Sequence, residues 1–501
     1  MMDTIDVSTV VTLHREGKYL GRTLRSLSEA AEFAGLQGVR TELVAVLDRS
    51  DDTTRSVLKS ADLSAFKAMQ VLEVDHGSVS LSRNAGCDAA AGTWLDLIDG
   101  DDLTSFTATA CMFDAAQRHG PLSVLVPKFS FAFGAKYFSV EYFSQHQIPS
   151  SSIVTRGLYT AKVFYHRDLH RAVTYQDVPL GKGYAYEDWH FHCNAMAAGY
   201  DFVAVDGVAL LYRQRIDSRN HTADRISARV IPPSNLFRPE VFKSVFAADM
   251  RRHGDRQMPP KPRGAEVFVD QEYRAILARA NAIDPAVDIG HFTWDCIGHF
   301  SNAIEPHAGV AYYHLCEQVD GRFDEVFLLS SGSEALEVLV ALRETAAINP
   351  RRSVLVLLDH IPDPDWLEGL PSVASVQPIY LPAACGNLTL DDRDLLCFKL
   401  IQATSAGARL HIAPCAFGRR FLTRFAPVLE DNRVILYRPA DPVRSDHGGY
   451  ATVDPVYFHT ISENLSAIAE VTCSDERTLR LDRNRLRFET AKWNLKGASI
   501  I

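Results

Sequence analysis

Along the first hundred residues, short β-branched or apolar runs alternate with longer stretches of helical spacing. Val7 to Leu13 is such a run and predicts a strand. From Tyr19 to Phe33 the apolar residues Tyr19, Leu20, Leu24, Leu27 and Ala31 share one helical face, with Arg22, Arg25 and Glu29 between them, which predicts an amphipathic helix. Glu42 to Leu47 predicts a second strand, and the polar run Asp48 to Thr54 reads as a loop entering a helix. Met69 to Val74 predicts a third strand, Ser80 to Ala91 a helix that Gly92 stops, and Trp94 to Ile98 a fourth strand. Strands alternating with helices predict an α/β fold, a parallel sheet with helices on both faces. Further on, Leu122 to Phe133 predicts a strand or strand pair, Gly183 to Gly199 a loop leading into a helix, and Phe202 to Tyr212 a return to strand.

Beyond Arg213 the pattern changes. Residues 217–265 are polar and rich in Arg and Pro (Pro232, Pro233, Pro239, Pro259, Pro260, Pro262), which predicts an irregular connector with a helix near Pro239 to His253. Residues 266–320 read as largely helical. The alternation resumes at Glu325, with strands at Val326–Leu329, Ser353–Leu358, Ala408–Ala413, Arg433–Tyr437 and Ile468–Cys473. Helices are predicted at Ser333–Ala346, Asp392–Ala403 and Arg419–Phe425. The expected division is a domain over 1–230, a largely helical connector over 231–322 and a Rossmann-like α/β domain over 323–501. There is no fixed-period repeat and no low-complexity tract.

Composition narrows the partners. A chain of 501 residues is long enough for two or three domains with their own cores. A formal net charge of −10 argues against a general nucleic-acid binder, which needs a basic face. Nine cysteines, an odd number with no C-x-x-C pair, fit reduced thiols better than a disulfide framework. Charged residues interrupt the N-terminal stretch Met1–Leu20, and no window approaches about 18 uninterrupted apolar residues. The expected location is the cytoplasm, with peripheral docking at the inner face of a membrane left open.

The candidate chemistry starts at Trp94-Leu95-Asp96-Leu97-Ile98-Asp99-Gly100-Asp101-Asp102, where an apolar run ends in clustered acids. Carboxylates gathered at a strand tip repel one another unless a cation sits between them. Mg²⁺ and Mn²⁺ take oxygen ligands and complete their shells with water and phosphate. Strand ends are also where ligands collect in open α/β sheets. The plainer reading is an acidic turn with Asp102 capping a helix.

Several stretches in order resemble the family 2 glycosyltransferases, which have the nucleotide-diphospho-sugar transferase (GT-A) fold. They are Val7 to Glu16 with Tyr19-Leu20 and Thr23 to Leu27; Val46-Leu47-Asp48-Arg49-Ser50-Asp51-Asp52-Thr53-Thr54; Ser82-Arg83-Asn84-Ala85-Gly86 with Ala91-Gly92; Leu97 to Asp102; and Tyr186-Glu187-Asp188-Trp189 before a helix ending at Gly199-Tyr200. The chain departs from the family where Thr9 or Thr12 stands for a proline, Arg15 for an asparagine, and Leu47 for one of two acids.

The resemblance implies a GT-A domain with a mixed, mostly parallel sheet, and a role for each matched residue. Asp48 accepts a base N–H of a uracil-type ring, or else caps a helix. Arg83 meets phosphate bidentately, or else is a solvated surface arginine. Asp99 faces the ribose or metal, Asp101 ligates Mn²⁺ or Mg²⁺, and Asp102 ligates too or else caps the next helix. Asp188 is the base that takes the acceptor proton, and Glu187 orients it or touches the donor. Adjacent buried carboxylates push one pKa upward, which suits a base, although acids at a helix start are also stabilised by the dipole. His221 stands as a third metal ligand, or else is an exposed loop histidine. His190, His192 and Cys193 do not converge on one helical face and are read as structural.

Residues 323–480 resemble the N-terminal Rossmann-like half of the family 4 (GT-B) glycosyltransferases, through Phe327 to Ala335 and Val471 to Glu476. A single glycine in Ser331-Gly332-Ser333 replaces that family's Gly-Gly loop, and no donor-binding half is expected, so this half is expected to be non-catalytic alone: a packing or acceptor-docking module, or part of a truncated relative of a longer bifunctional enzyme. The reading that results is an inverting, metal-dependent hexosyltransferase. It moves a sugar from a nucleoside-diphosphate sugar to a glycan or lipid-linked acceptor, in polysaccharide or surface-glycan synthesis. The alternatives are a non-catalytic, glycosyltransferase-derived glycan-binding or scaffold protein, and a nucleotidyltransferase, which would need a more glycine-rich loop than Thr12 to Lys18.

Overall fold

A computed structural model describes residues 4–216, 219–254, 260–292, 298–330, 336–348, 351–360, 375–439, 443–445, 451–453, 455–473 and 476–489. The chain forms two compact units, Met1–Leu236 with Ser244–Gly309, and Phe237–Lys243 with Val310–Ile501.

The first unit opens as its pattern predicts. β1 (Val7–Leu13), α1 (Gly17–Leu36), β2 (Thr41–Asp48), α2 (Asp52–Ser60), β3 (Ala68–Val74), α3 (Val79–Ala89) and β4 (Trp94–Asp99) follow in turn. The four strands are parallel, in the order β4-β1-β2-β3. The apolar face of α1 (Leu20, Leu24, Leu27, Ala31) buries against Leu43, Ala45 and Leu47 of β2 and Leu58 of α2. On the opposite face α3 lies close to β1 and β2. A Cβ on Gly86 would sit 2.4 Å from Val10 Cγ1 and 2.8 Å from Val46 Cγ2.

Next come β5 (Leu103–Thr104), α4 (Ala108–His119), β6 (Ser123–Gly134), β7 (Phe138–Glu141), β8 (Phe164–His166), α5 (Arg167–Ala172), α6 (Glu187–Ala197), β9 (Asp201–Gln214), α7 (Arg219–Ile226), α8 (Pro239–Gly254), α9 (Gln271–Ile283), α10 (Ile289–Phe292) and β10 (Gly298–Ser301). Here the sheet becomes mixed. β8 runs antiparallel to β4 and β6, and β7 to β6, whereas β6 and β9 are parallel. The Leu122–Phe133 run is one strand, β6, not a pair. The short strands β7, β8 and β10 had no visible alternation because so few residues carry none. The stretch 266–320, read as helical, also supplies β10, which pairs with β7. Its rings Phe268, Tyr273 and Phe292 pack on Phe129, Phe131 and Phe133 of β6, inside the core of the first unit.

The second unit contains β11 (Glu325–Leu329), α11 (His307–Glu317) before it, α12 (Leu336–Ile348), β12 (Val354–Leu358), β13 (Val376–Tyr380), β14 (Arg409–Ile412), β15 (Arg433–Arg438), a small antiparallel pair β16 (Val443–Ser445) and β17 (Ala451–Val453), and β18 (Ile468–Cys473). Its main sheet is wholly parallel, in the order β13-β12-β11-β14-β15-β18. Counted within the unit this is 3-2-1-4-5-6, the doubly wound arrangement. β13 escaped prediction because Gln377 and Pro378 interrupt its apolar run. It is an edge strand, where proline is tolerated. The Ser331-Gly332-Ser333 turn, with Glu334 and Ala335, and Ser474-Asp475 lie outside the described residues. Among the described residues no helix is long and apolar enough to cross a membrane.

Candidate active site

Parallel pairing of β4, β1 and β2 brings three carboxyl ends to one sheet edge. Thr12 is in register with both Asp99 and Val46, so Asp99 and Asp48 flank the end of β1. There a cavity of about 350 Å³ opens, lined by residues that include Asp48, Arg83, Asp99, Asp101 and Glu187. Five of the seven sequence-predicted site residues thus share one cavity.

Asp48 is buried at the tip of β2. Its carboxylate accepts from the backbone N–H of His76 (2.9 Å), Gly77 (2.9 Å) and Ser78 (3.1 Å) and from the Ser82 hydroxyl (2.8 Å). Burial works against its charge, but these donors outweigh it and hold the carboxyl below its ordinary value. The four lone-pair positions of a carboxylate are filled by the turn that starts α3. The cap that α3 needs therefore comes across the sheet edge, from Asp48, as well as from its own N-cap Ser78.

Arg83, one turn into α3, is buried rather than solvated, with a side-chain exposure of 4%. Its guanidinium donates to Asp99 Oδ1 at 2.8 Å and to Glu187 Oε1 at 3.3 Å, and lies 5.3 Å from the centre of the Tyr175 ring. One cation thus ties the D-x-D motif to the start of α6. Burial disfavours its charge, but Asp99 and Glu187 more than compensate and raise its pKa.

α6 starts abruptly. Its N-cap, Tyr186, has φ 65° and ψ 65°, left-handed backbone that a non-glycine residue adopts only at a cost. The sharp turn sets Glu187 and Asp188 in the first helical turn, and Trp189 anchors the helix by donating Nε1–H to Ile153 O at 2.8 Å. Asp188 is half-buried and accepts from Trp189 N at 2.8 Å. Burial first, then the neighbouring Glu187 charge, pushes its pKa up to about 6, although Arg83 opposes this. His190 lies against Pro233 O at 3.1 Å, and His192 is enclosed by aromatic rings, so the two do not converge.

Asp101 sits opposite a pair of arginines. Arg215 Nε is 3.1 Å from its carboxylate, and Arg213 Nε donates to its backbone oxygen at 2.8 Å. Burial, with the nearby Asp99 and Glu16 charges, pushes Asp101 up to about 6 against the pull of Arg215. Gly100 is required between the two acids: a Cβ there would lie 2.5 Å from Leu13 Cδ2 and 2.9 Å from Thr12 O. Asp102 caps no helix. It is buried and accepts from Arg213 N at 2.8 Å, which joins the acidic turn to β9. Arg213 also donates to Asp284 Oδ2 at 2.7 Å, so the segment after α9 buttresses the site.

His221 falls in α7, and its side chain lies outside the described residues. Glu16, Tyr212, Arg213 and Arg215 line the cavity but escaped the sequence reading. A signal for the arginines exists: positions two apart at a strand end share a face. As for a metal, Asp99, Asp101 and Glu16 offer oxygen donors of the kind hard divalent cations take. Among the described residues no three His, Cys, Asp or Glu side chains are arranged to hold an ion by themselves. The donor set fits a cation whose shell is completed by substrate phosphate and water.

Residues 8–166 match the family described as Glycosyl transferase family 2. Among solved structures the chain is similar to S. aureus TarS 1–349 in complex with UDP-GlcNAc, at 17% identity over 58% of this chain and 90% of that chain, with a TM-score of 0.34. It is similar to a longer S. aureus TarS at 16% identity over 58% of this chain and 54% of that chain (TM-score 0.33). Similarity to GalNAc-T7 with UDP, GalNAc and Mn²⁺ is 14% over 43% of this chain and 44% of that chain (TM-score 0.32). No curated protein matches. With its sheet, its acidic strand ends and this match over residues 8–166, the N-terminal unit carries a family 2 glycosyltransferase domain.

Proposed function

We propose that the cavity takes a nucleoside-diphosphate sugar and transfers its sugar, with inversion, to a glycan or lipid-linked acceptor in polysaccharide or surface-glycan synthesis. The supporting observation is that Asp99 and Glu187 meet on Arg83 in one cavity that Asp101 also lines, with Asp188 next to Glu187. Asp101, with Asp99, would hold Mn²⁺ or Mg²⁺, and His221 is a further candidate ligand. When bound, the cation supplies neutralisation of the oxyanions on the departing diphosphate. Arg215 and Arg213 stand beside Asp101 as fixed positive charge for the same oxygens. Arg83 keeps Asp99 and Glu187 apart and oriented. Asp48, whose acceptor positions are filled by its own turn, contributes to nucleotide binding through the shape of His76–Ser78.

Asp188 is the base: with a pKa near 6 it is unprotonated at neutral pH yet basic enough to take an acceptor hydroxyl proton. Glu187 orients it, or touches the donor. The test is hydrolysis and transfer from a panel of nucleotide sugars with Mn²⁺, comparing wild type with Asp101→Asn and Asp188→Asn. Turnover of one donor that both substitutions abolish supports the reading. Hydrolysis indifferent to both favours a glycan-binding scaffold instead. A single nucleotide sugar that raises the melting temperature with Mn²⁺, but not without it, identifies donor and cofactor together.

A further inference from the structure

The second unit holds a polar cluster that the transfer reaction does not use. Parallel sheets covered on both faces are normally apolar on both. One face of this sheet conforms, with Val326, Leu328, Leu410, Ile412, Val434 and Leu436 all buried. The alternate positions Glu325, Arg409, His411, Tyr437, Glu470 and Thr472 share the other face. Buried polar groups of this kind cost free energy unless each is paired.

Glu325, Arg409, His411 and Tyr437 are paired in one network. Glu325 is fully buried and accepts from Arg409 Nε at 2.9 Å, from Arg352, and from His411 Nε2 at 2.9 Å. His411 Nδ1 lies 2.8 Å from Tyr437 Oη, and its ring stacks on Phe327 with centroids 4.1 Å apart. Burial disfavours Glu325's charge, but His411 and Arg409 prevail and hold its carboxyl down at about 2, so it is an acceptor only. Burial keeps His411 below its ordinary pKa and therefore neutral. The network assigns the ring proton to Nε2, so Nδ1 accepts and Tyr437 donates. The phenol oxygen is left with lone pairs and a fixed orientation.

Arg409, His411 and Tyr437 of this network form the floor of a cavity of about 440 Å³, within the range of small-molecule sites, with Glu325 buried beneath them. Its far wall is one face of α12, where Ala341, Glu344, Thr345 and Ile348 recur at helical spacing while Val338 and Leu342 face the core. Charges around it cancel: Arg352, Arg409 and Arg433 against Glu325, Glu344 and Glu470, with Glu470 paired to Arg433 at 2.8 Å. No net field selects an anion or a cation. What remains is a mixture of donors and acceptors on arginine, carboxylate, phenol and hydroxyl groups, complementary to a neutral molecule bearing many hydroxyls.

We propose that this cavity, between α12 and the β11-β14-β15-β18 face, binds a neutral saccharide, with Tyr437 accepting a ligand hydroxyl on the Glu325–His411–Tyr437 chain. It lies on the face of the sheet, and none of the nucleotide-sugar cavity's residues takes part.

The test is saturation-transfer-difference NMR on the full chain with glucose, N-acetylglucosamine and lactose, and with inorganic phosphate and putrescine as charged comparators. At least one neutral sugar is expected to bind, and Tyr437→Phe and Glu344→Gln each weaken it about tenfold. Glu344 is exposed and has no ion-pair partner among the described residues, so its substitution tests the site without disturbing the floor. Preference for phosphate or putrescine, or no saccharide signal, overturns the proposal. So does binding that survives both substitutions, and binding lost only in Asp188→Asn, which would belong to the first unit's cavity.

Discussion

Asp188 carries the sharpest consequences at the scale of a single residue. A base must be unprotonated, so kcat/KM should rise as pH passes through about 6. Asp101, also near 6, must be ionised to hold a cation, and it gives a second limb in the same range. The two separate because only the limb from Asp101 shifts with Mn²⁺ concentration. Asp188→Asn should lower kcat by about 10²- to 10⁴-fold, measured with saturating donor. The same substitution should stabilise the protein. A folded pKa above the unfolded one means that ionising Asp188 costs stability as pH rises from about 4 through 6. At pH 7.5 the variant should be more stable by about 1–3 kcal/mol in urea denaturation, and the gain should vanish near pH 4. Equal midpoints at pH 7.5 would remove the argument that Asp188 is held in a charge-opposing environment. The carboxylates themselves were legible in the chain. Their partners were not: nothing in the order of residues says that Arg83 spans Asp99 and Glu187, or that Arg215 reaches Asp101.

At the scale of elements, the site depends on how closely α3 approaches the sheet. Gly86 permits that approach and Arg83 rides on the same helix one turn earlier. Gly86→Ala places a methyl within 2.4 Å of Val10 Cγ1, so α3 must move outward. The expected cost is about 1–3 kcal/mol by chemical denaturation, together with a raised KM for the donor because Arg83 moves with the helix. A normal KM in a destabilised variant would mean that Arg83's position does not depend on α3 packing. Long periodic elements such as α1 and β1 announce themselves because their apolar positions repeat often enough to fix both period and face. β7, β8 and β10 are too short to repeat, and β13 breaks its run with Pro378. These exist because neighbouring strands offer a free edge, a fact of assembly rather than of local pattern.

For the whole molecule, charge is the governing quantity. A chain of net charge −10 that gathers Glu16, Asp99, Asp101 and Glu187 about one cavity is poorly suited to receive a diphosphate without a cation. EDTA should therefore abolish donor turnover, and Mn²⁺ should restore it. Activity that persists after exhaustive chelation would assign the charge compensation to Arg213 and Arg215 alone. In the second unit the balance rests on Glu325. Glu325→Gln leaves the part-exposed Arg409 without its counter-charge and should cost about 1–2 kcal/mol at pH 7, read by urea denaturation. Because Glu325's folded pKa is depressed to about 2, its contribution is present above its unfolded value and is lost as pH falls through about 2. The chain alone determined the order of the long strands and helices, the α/β class of both halves, and the acidic strand ends with their resemblance to a sugar-nucleotide enzyme. These are properties of neighbours in sequence, where hydrophobic period and residue type suffice. Only the tertiary structure decided that residues after 266 complete the first unit's core, that Asp102 binds β9 instead of capping a helix, and that Glu325, His411 and Tyr437 form one chain. Each of those depends on which distant strands lie side by side, and pairing is chosen by the packing of the whole sheet.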